Sequence, residues 1–184
     1  MAKTVLVPIA DGTEEIEAVS IIDTLRRSGA RVTVASVNEL EITASRGVKL
    51  VADARIGECV GQTYDAIVLP GGTAGAENLR DCPELIEMLK AQQQAGRVYA
   101  AICAAPVVVL QHHGLLAGKK ATCHPSLAEQ LENKEAAEHR VVVDGTCVTS
   151  RGPGTAIEFA LKLIEVLFDA DRAQKVAEPM LVKA

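Results

Sequence analysis

The chain has 184 residues, of which 48% are hydrophobic, 23% charged and 2% aromatic, and its formal net charge is −5 at pH 7. This length and composition predict one globular domain over residues 1–184 with a full hydrophobic core. The negative charge and the scarcity of aromatic rings argue against anionic lipid and stacked bases as ligands. We therefore expect no membrane and no sequence-specific nucleic acid among the partners.

The cysteines are widely spaced, odd in number and free of any Cys-x-x-Cys pair: Cys59, Cys82, Cys103, Cys123 and Cys147. This spacing predicts neither a disulfide framework nor a zinc site, and the histidines show no metal-ligand spacing. The first residues lack a signal-peptide pattern, and no apolar run is long enough to span a bilayer. These features predict a reduced, cytoplasmic protein without a bound metal.

The N-terminal region predicts a β-α-β unit. The run Thr4–Ala10 is rich in β-forming residues, and in the turn after it Asp11 and Glu14 fit a helix capping box. Gly29 is placed to end that helix, and a second β-rich run covers Arg31–Ser36. Because the connections are short, we expect the two strands to be parallel.

Strand and helix patterns alternate along the rest of the chain. Strands are predicted over 48–52, 66–69 and 98–102, helices over 83–94, 157–168 and 171–178, and a hairpin over 141–149. This alternation predicts a three-layer α/β sandwich around a mostly parallel sheet. Ligands of such sheets bind beyond the carboxyl ends of the strands. Three of those ends carry distinctive residues: Asp11-Gly12, Pro70-Gly71-Gly72 and Cys103.

Cys103 lies where a buried strand pattern stops and a helix-like segment, 107–112, follows. A strand that turns sharply into a helix exposes the residue at the turn, which is the geometry of a nucleophile elbow. Small neighbours such as Ala104 avoid a clash there, and a cysteine at a helix N-terminus tends towards the thiolate. The alternative is an ordinary buried core cysteine.

Gly71 and Gly72 follow a strand and allow a ligand to approach bare backbone amides. Together with the amide after Cys103, they are candidates for an oxyanion pocket. The alternative is an ordinary turn, since a Gly-Gly pair carries little specificity.

Glu17 is the candidate acid–base. Three acids, Glu14, Glu15 and Glu17, occupy the first turn of the first helix, where the helix dipole alone accounts for them. Glu17, however, flanks the apolar stripe of that helix, and a half-buried carboxyl has a raised pKa. Near a thiolate it can donate a hydrogen bond or carry a proton. His124, just past a short β-rich segment, is a candidate base for Cys103.

Five motifs occur in order along nearly the whole chain: ADGTEEIEA (10–18), VLPGG (68–72), AAICAAP (100–106), TCHP (122–125) and TSRGPGT (149–155). Together they resemble the DJ-1/PfpI superfamily, and within it the DJ-1 branch of animal deglycases and their bacterial relatives. The resemblance implies a flavodoxin-like three-layer α/β/α sandwich of the class I glutamine amidotransferase-like type. It also implies a homodimer, with the first helix, including Ile16 and Arg27, as the contact.

The resemblance further implies roles for individual residues. Cys103 matches the reactive nucleophile, Glu17 the acid hydrogen-bonded to it, and Gly72 and Ala104 the amides of the oxyanion pocket. His124 matches a family histidine that, in this branch, is not well placed for a protease-like pair.

Two basic residues, Arg27 and Arg46, match residues close to the site and to the dimer contact.

Two functions of different classes follow from the resemblance. The first is a glyoxalase or deglycase that acts, without a cofactor, on methylglyoxal and related α-oxoaldehydes or on their early adducts. The second is a redox-sensing chaperone or stress-response protein in which Cys103 is oxidised to the sulfinic acid. Both depend on the same cysteine, so the sequence leaves the choice open; a peptidase is disfavoured because it needs a well-placed Cys-His pair.

Overall fold

The computed structural model describes residues 2–182. Its strands, in chain order, are β1 (Thr4–Ile9), β2 (Arg31–Ser36), β3 (Glu41–Thr43), β4 (Lys49–Val51), β5 (Ala54–Arg55), β6 (Ala66–Leu69), β7 (Val98–Ile102), β8 (Val141–Asp144) and β9 (Cys147–Ser150). Its α-helices are α1 (Glu15–Arg27), α2 (Ile56–Cys59), α3 (Thr73–Arg80), α4 (Pro83–Gln94), α5 (Ala156–Leu167) and α6 (Ala170–Ala177). A π-helix covers Pro106–Gln111, and 3₁₀ turns cover Pro125–Gln130 and Pro153–Thr155.

One sheet runs through the centre of the described chain in the order β5-β2-β1-β6-β7-β9-β8. Its pairs are parallel except for β8 and β9, which form the antiparallel hairpin predicted around Asp144-Gly145. A separate antiparallel hairpin, β3–β4, lies outside this sheet. The order places β1, β6 and β7 side by side in the middle. The carboxyl ends of these three strands therefore meet at one edge, where the distinctive residues of the sequence lie.

Helices cover both faces of the sheet, as strand alternation requires. Val5, Val7 and Ile9 of β1 are fully buried against α1, α5 and α6, whereas Leu6 is buried on the opposite face with α3 and α4. Burying each such side chain stabilises the fold by roughly 1.5–3 kcal/mol. This arrangement confirms the predicted three-layer α/β sandwich. No helix within residues 2–182 has the length and apolar character that crossing a bilayer requires.

Most predicted elements are found within one or two residues of their expected bounds. The predicted capping box is wrong: the side chain of Glu14 itself caps α1 by accepting a hydrogen bond from the Glu17 amide at 2.7 Å, and Asp11 instead accepts from the Thr43 amide. The sequence also fails to predict α3, which contains Gly75, and β3, which is only three residues long. Residues 1, 183 and 184 of the predicted domain lie outside the described part.

Candidate active site

Cys103 lies at a sharp turn between β7 and the helical segment that follows. Its φ is +65°, a left-handed conformation that costs a residue other than glycine about 1–2 kcal/mol. Two backbone hydrogen bonds hold it there: its amide donates to Ser150 O at 3.0 Å, and its carbonyl accepts from the His124 amide at 2.8 Å. The geometry is that of the predicted nucleophile elbow. The helix after it is present but wound as a π-helix.

Glycines pack the loop after β1 against the loop after β6. A Cβ added to Gly72, whose φ is +82°, would lie 2.2 Å from the carbonyl oxygen of Gly12. A Cβ on Gly71 would lie 2.6 Å from Cys103 Cβ, and one on Gly75 would lie 2.5 Å from the Thr13 amide nitrogen. Any side chain at these positions would separate the loops. Their bare backbones therefore bring the start of α1 against the elbow.

Glu17 is carried into the site by the first turn of α1. Its side chain is fully buried, and Oε2 accepts a hydrogen bond from the Gly71 amide at 2.8 Å. The other oxygen, Oε1, has no hydrogen-bond partner among the described residues. The carboxyl lies beside the Cys103 thiol, close enough for each group to shift the pKa of the other. Helical periodicity alone predicted that Glu17 flanks the apolar stripe, beside the buried Ile21.

Burial and the contact between the two groups set their protonation. Burial raises the pKa of Glu17 to about 7; the hydrogen bond from the Gly71 amide and the neighbouring Cys103 thiol oppose this rise, and the negative charge of Glu14 reinforces it. Burial, and after it the negative charge of Glu17, raise the pKa of Cys103 to about 12, whereas the amides of Gly72 and Ala104 lower it. Each group thus contributes to the pKa shift of the other.

These values correct one expectation. The elbow position led us to expect an exposed thiol inclined to the thiolate, but the side chain is only partly exposed and its pKa is raised, since burial outweighs the helix N-terminus. The thiolate is compatible with this site when Glu17 holds its proton. The charge repulsion then disappears, and the carboxyl donates to the sulfur.

A cavity of about 560 Å³ opens over Cys103. Its walls are the loops after β1, β6 and β7, the start of α3, the β3–β4 turn, the segment around Pro125 and the turn after β9. The lining residues are Gly12, Glu14, Ala44, Ser45, Arg46, Gly72, Thr73, Ala74, Cys103, Ala104, His124, Ser126, Leu127 and Pro153. Among the described residues, no cluster of three or more His, Cys, Asp or Glu side chains is arranged to hold a metal ion.

The cavity is lined by five of the predicted site residues, Cys103, Gly72, Ala104, His124 and Arg46, and two expectations are corrected. Gly71 was expected to offer its amide to the oxyanion pocket, but that amide donates to Glu17, so the pocket amides are those of Gly72 and Ala104. Arg46 lines the cavity. Arg27 does not: it pairs with Asp23 in the last turns of α1, ten residues, or about 15 Å, along the helix from Glu17.

His124 lines the cavity without hydrogen-bonding to the Cys103 thiol. Its Nδ1 is 2.8 Å from Ser126 Oγ, and its backbone amide supports the elbow. A direct role as base for Cys103 is therefore not supported by the geometry of the ring.

The sequence does not predict one wall of the cavity. The turn between β3 and β4 reaches it through Ser45 and Arg46, both hydrogen-bonded to Glu15. Glu15 was explained by the helix dipole alone. No pattern in the sequence pairs it with a turn some 30 residues away.

Comparison with known proteins identifies related chains. The model of the "DJ-1/PfpI family" matches residues 3–166. The chain is 50% identical to "Protein DJ-1 homolog B" of Arabidopsis thaliana over 97% of this chain and 41% of that protein. It is 34% identical to "Glutathione-independent glyoxalase DJR-1.2" of Caenorhabditis elegans over 96% of this chain and 94% of that protein. The chain thus spans less than half the length of the Arabidopsis protein.

A solved structure has the same architecture over the whole chain. "Toxoplasma gondii DJ-1, oxidized" superposes with a TM-score of 0.97 at 52% sequence identity, covering 100% of both chains. Both the resemblance stated from the motifs and the predicted flavodoxin-like fold are thereby confirmed.

Proposed function

Because this chain belongs to the DJ-1/PfpI family, we propose that it converts small α-oxoaldehydes such as methylglyoxal, or their early adducts, to 2-hydroxy acids. In this proposal Cys103 is the nucleophile and Glu17 the acid–base. The observation that carries it is the buried Glu17 carboxyl, with a pKa of about 7, against a cysteine held at an elbow. The name of the Caenorhabditis relative, a glutathione-independent glyoxalase, supports the same reaction class.

The geometry suits a sequence of steps that needs no oxidant. Glu17, as the carboxylate, takes the proton of the Cys103 thiol; the sulfur adds to the aldehyde carbon, and Glu17 gives that proton to the developing alkoxide, which leaves a hemithioacetal and a Glu17 carboxylate. That carboxylate removes the proton from the same carbon and returns it to the neighbouring one, while the hydroxyl proton of the hemithioacetal passes to the ketone oxygen. The ketone thereby becomes an alcohol and the hemithioacetal becomes a thioester. Water then hydrolyses the thioester and releases lactate and the free thiol. The sum is the addition of one water to methylglyoxal.

Backbone amides stabilise the charge that develops in these steps. The amides of Gly72 and Ala104 act on the sulfur of Cys103, at the place where a thiolate or an adjacent oxyanion carries negative charge. Preorganised donors of this kind are worth about 3–4 kcal/mol each in oxyanion sites.

The test is lactate formation from methylglyoxal, followed by proton NMR on the pure protein. Cys103→Ser should abolish it. Glu17→Gln keeps a hydrogen-bond donor but has no transferable proton, so it should still form the hemithioacetal while lactate formation falls by ~10²-fold or more. Glu17→Asp, one methylene shorter, should lie between wild type and Glu17→Gln. Wild-type rates in Glu17→Gln would remove Glu17 as the acid–base and make His124 the next residue to test.

A redox-sensing or chaperone role is the second candidate, and one observation favours it. Of the five cysteines, Cys103 alone is partly exposed, and the Toxoplasma relative is described as oxidized. A sulfinate at Cys103 would accept a hydrogen bond from protonated Glu17. A peptidase is not supported, because the His124 ring is engaged with Ser126.

A further inference from the structure

Glu15 is a charged side chain that the proposed reaction does not use, yet it is buried, with 8% of its surface exposed. Its two oxygens accept hydrogen bonds from neighbouring residues of a single turn. Oε2 accepts from Ser45 Oγ at 2.8 Å, and Oε1 accepts from the Arg46 amide at 2.8 Å. A buried carboxylate is costly unless such donors satisfy it. Here both donors belong to the turn between β3 and β4.

These donors keep Glu15 charged. Burial raises the pKa of Glu15, but the hydrogen bonds from its own amide, from Ser45 and from the Arg46 amide outweigh burial and leave the pKa below its ordinary value. Glu15 is therefore a carboxylate at neutral pH, and its bonds to the turn are charge-assisted. Such bonds are roughly twice as strong as neutral ones.

The turn that Glu15 holds is a wall of the cavity over Cys103. Ser45 and Arg46 line that cavity, and within residues 2–182 no carboxylate forms an ion pair with the Arg46 guanidinium. The hairpin has other anchors to the loop after β1: the Thr43 amide donates to Asp11 at 2.7 Å, and the Ser45 amide donates to Thr13 O at 2.8 Å. Among the residues that the structure describes, Glu15 alone binds both a side chain of the turn and the Arg46 amide.

We propose that Glu15 is a positioning residue: by fixing the Ser45–Arg46 turn, it holds the positive charge of Arg46 at the cavity, where it favours substrates and reagents that carry a negative group. The inference rests on the proposed function in so far as it concerns substrates. It extends that function to α-oxoaldehydes or adducts with a carboxylate or phosphate substituent. Glu15 acts through Arg46 and does not touch the reacting atoms.

The direction in which Glu15→Gln changes the reactivity of Cys103 towards anionic reagents distinguishes a positioning role of Glu15 from a purely electrostatic one. Glu15→Gln removes a negative charge near the cavity, so a purely electrostatic role would make anionic reagents react faster with Cys103. A positioning role predicts the opposite, because the Arg46 charge is no longer held at the cavity. One unit charge a few ångströms from an anion in a well-solvated site is worth about a five-fold change in rate or affinity.

The assay is the reaction of Cys103 in the full native chain with two disulfide reagents, dianionic dithiobis-nitrobenzoate and neutral dithiodipyridine. The other four cysteines are buried, so Cys103 is the thiol that reacts. The readout is the ratio of the two rates. We expect Glu15→Gln and Arg46→Gln each to lower the anionic-to-neutral ratio by about five-fold, and the double variant to lower it no further than Arg46→Gln alone.

Two further variants keep the test decisive. Asp11→Ala removes another anchor of the same hairpin, outside the turn, and should keep the wild-type ratio. Ser45→Ala removes one donor to Glu15 and should lower the ratio in the same direction, even if Glu15→Gln fails to fold by circular dichroism. An unchanged or raised ratio in the folded Glu15→Gln variant, or additive effects in the double variant, would overturn the proposal.

The reagent assay involves no turnover, so it is independent of the proposed reaction. If methylglyoxal gives no lactate but the ratios change as expected, the proposed function fails and the positioning role stands. If lactate forms normally but the ratios do not change, the positioning role fails alone.

Discussion

The buried carboxyl of Glu17 should make the protein less stable above neutral pH. Its pKa is about 7 in the folded chain, against an ordinary value of 4.5 for Glu. A carboxyl whose pKa is raised by folding contributes stability that is fully present below the unfolded pKa and is lost as pH rises through the folded pKa. For Glu17 that stability is lost between about pH 4.5 and about pH 7. Above pH 7 the folded state bears the full free-energy cost of holding a charged, buried carboxylate.

The size of the penalty follows from the shift in pKa. A rise from 4.5 to about 7, at about 1.4 kcal/mol per pKa unit, corresponds to about 3 kcal/mol at pH 8. Glu17→Gln is close to isosteric, can accept from the Gly71 amide and carries no charge. Relative to wild type, it should therefore gain about 2–3 kcal/mol of unfolding free energy between pH 5 and pH 8.

The assay is urea unfolding at fixed protein concentration, with wild type and variant compared at each pH. Taking the difference between pH 5 and pH 8 cancels any effect of the substitution that does not depend on pH. Glu15→Gln is the matched control, two residues away on the same helix. The pKa of Glu15 is lowered, so its charged form stabilises the fold at neutral pH and that stability is lost as pH falls through the folded pKa. Glu15→Gln should be less stable than wild type at pH 8. A pH-independent difference for Glu17→Gln would refute the reasoning.

Three further predictions concern oxidation, assembly and packing. Mild peroxide should add two oxygens to Cys103 before any other cysteine, as read by peptide mass spectrometry, because the other four are buried; prior oxidation elsewhere would contradict this. The chain should form a homodimer through α1, where Ile16 is 56% exposed. Light scattering should then give twice the chain mass of 19.4 kDa, and a monomer at micromolar concentration would exclude the dimer. Gly72→Ala should lower the stability by about 3 kcal/mol or more because its Cβ would clash with Gly12. Gly47→Ala is the control, since Gly47 also has a positive φ but lies in open space, and it should cost about 1 kcal/mol. Thermal melts measure both, and equal losses would show that the backbone conformation alone, and not the clash, sets the cost.

The parts of the site predicted from the sequence are those that depend on one local pattern. The elbow follows from an apolar strand, small residues and a helix-like run around Cys103. The burial of Glu17 follows from its angle on α1 beside Ile21. The local pattern also proposed the amides of Gly71, Gly72 and Ala104 for an oxyanion pocket, and the family motifs narrowed this set to Gly72 and Ala104.

The parts that were missed depend on pairing between distant segments. Glu17 binds the Gly71 amide, 54 positions along the chain, and this bond takes away the amide that we had assigned to the oxyanion pocket. Glu15 binds a turn 30 and 31 positions away. Arg27 was placed near the site by resemblance alone, although helix geometry puts it about 15 Å from Glu17 along α1. Such pairings depend on loop packing, which the glycines permit but do not specify.

The raised pKa values serve the proposed chemistry better than the exposed, acidic thiol that we expected. A thiolate of higher pKa is intrinsically more nucleophilic. The buried Cys103 sulfur loses its proton only as Glu17 takes it up, and the thiolate formed in this way attacks an aldehyde strongly. A carboxyl with a pKa near 7 can give up and recover a proton at about equal cost, which a carboxyl at 4.5 cannot. Burial of both groups at one edge of the sheet provides both properties. Burial of Glu17 therefore has two consequences with one cause. It lowers the stability of the fold above neutral pH, and it raises the pKa of Glu17 into the range where Glu17 can carry the proton.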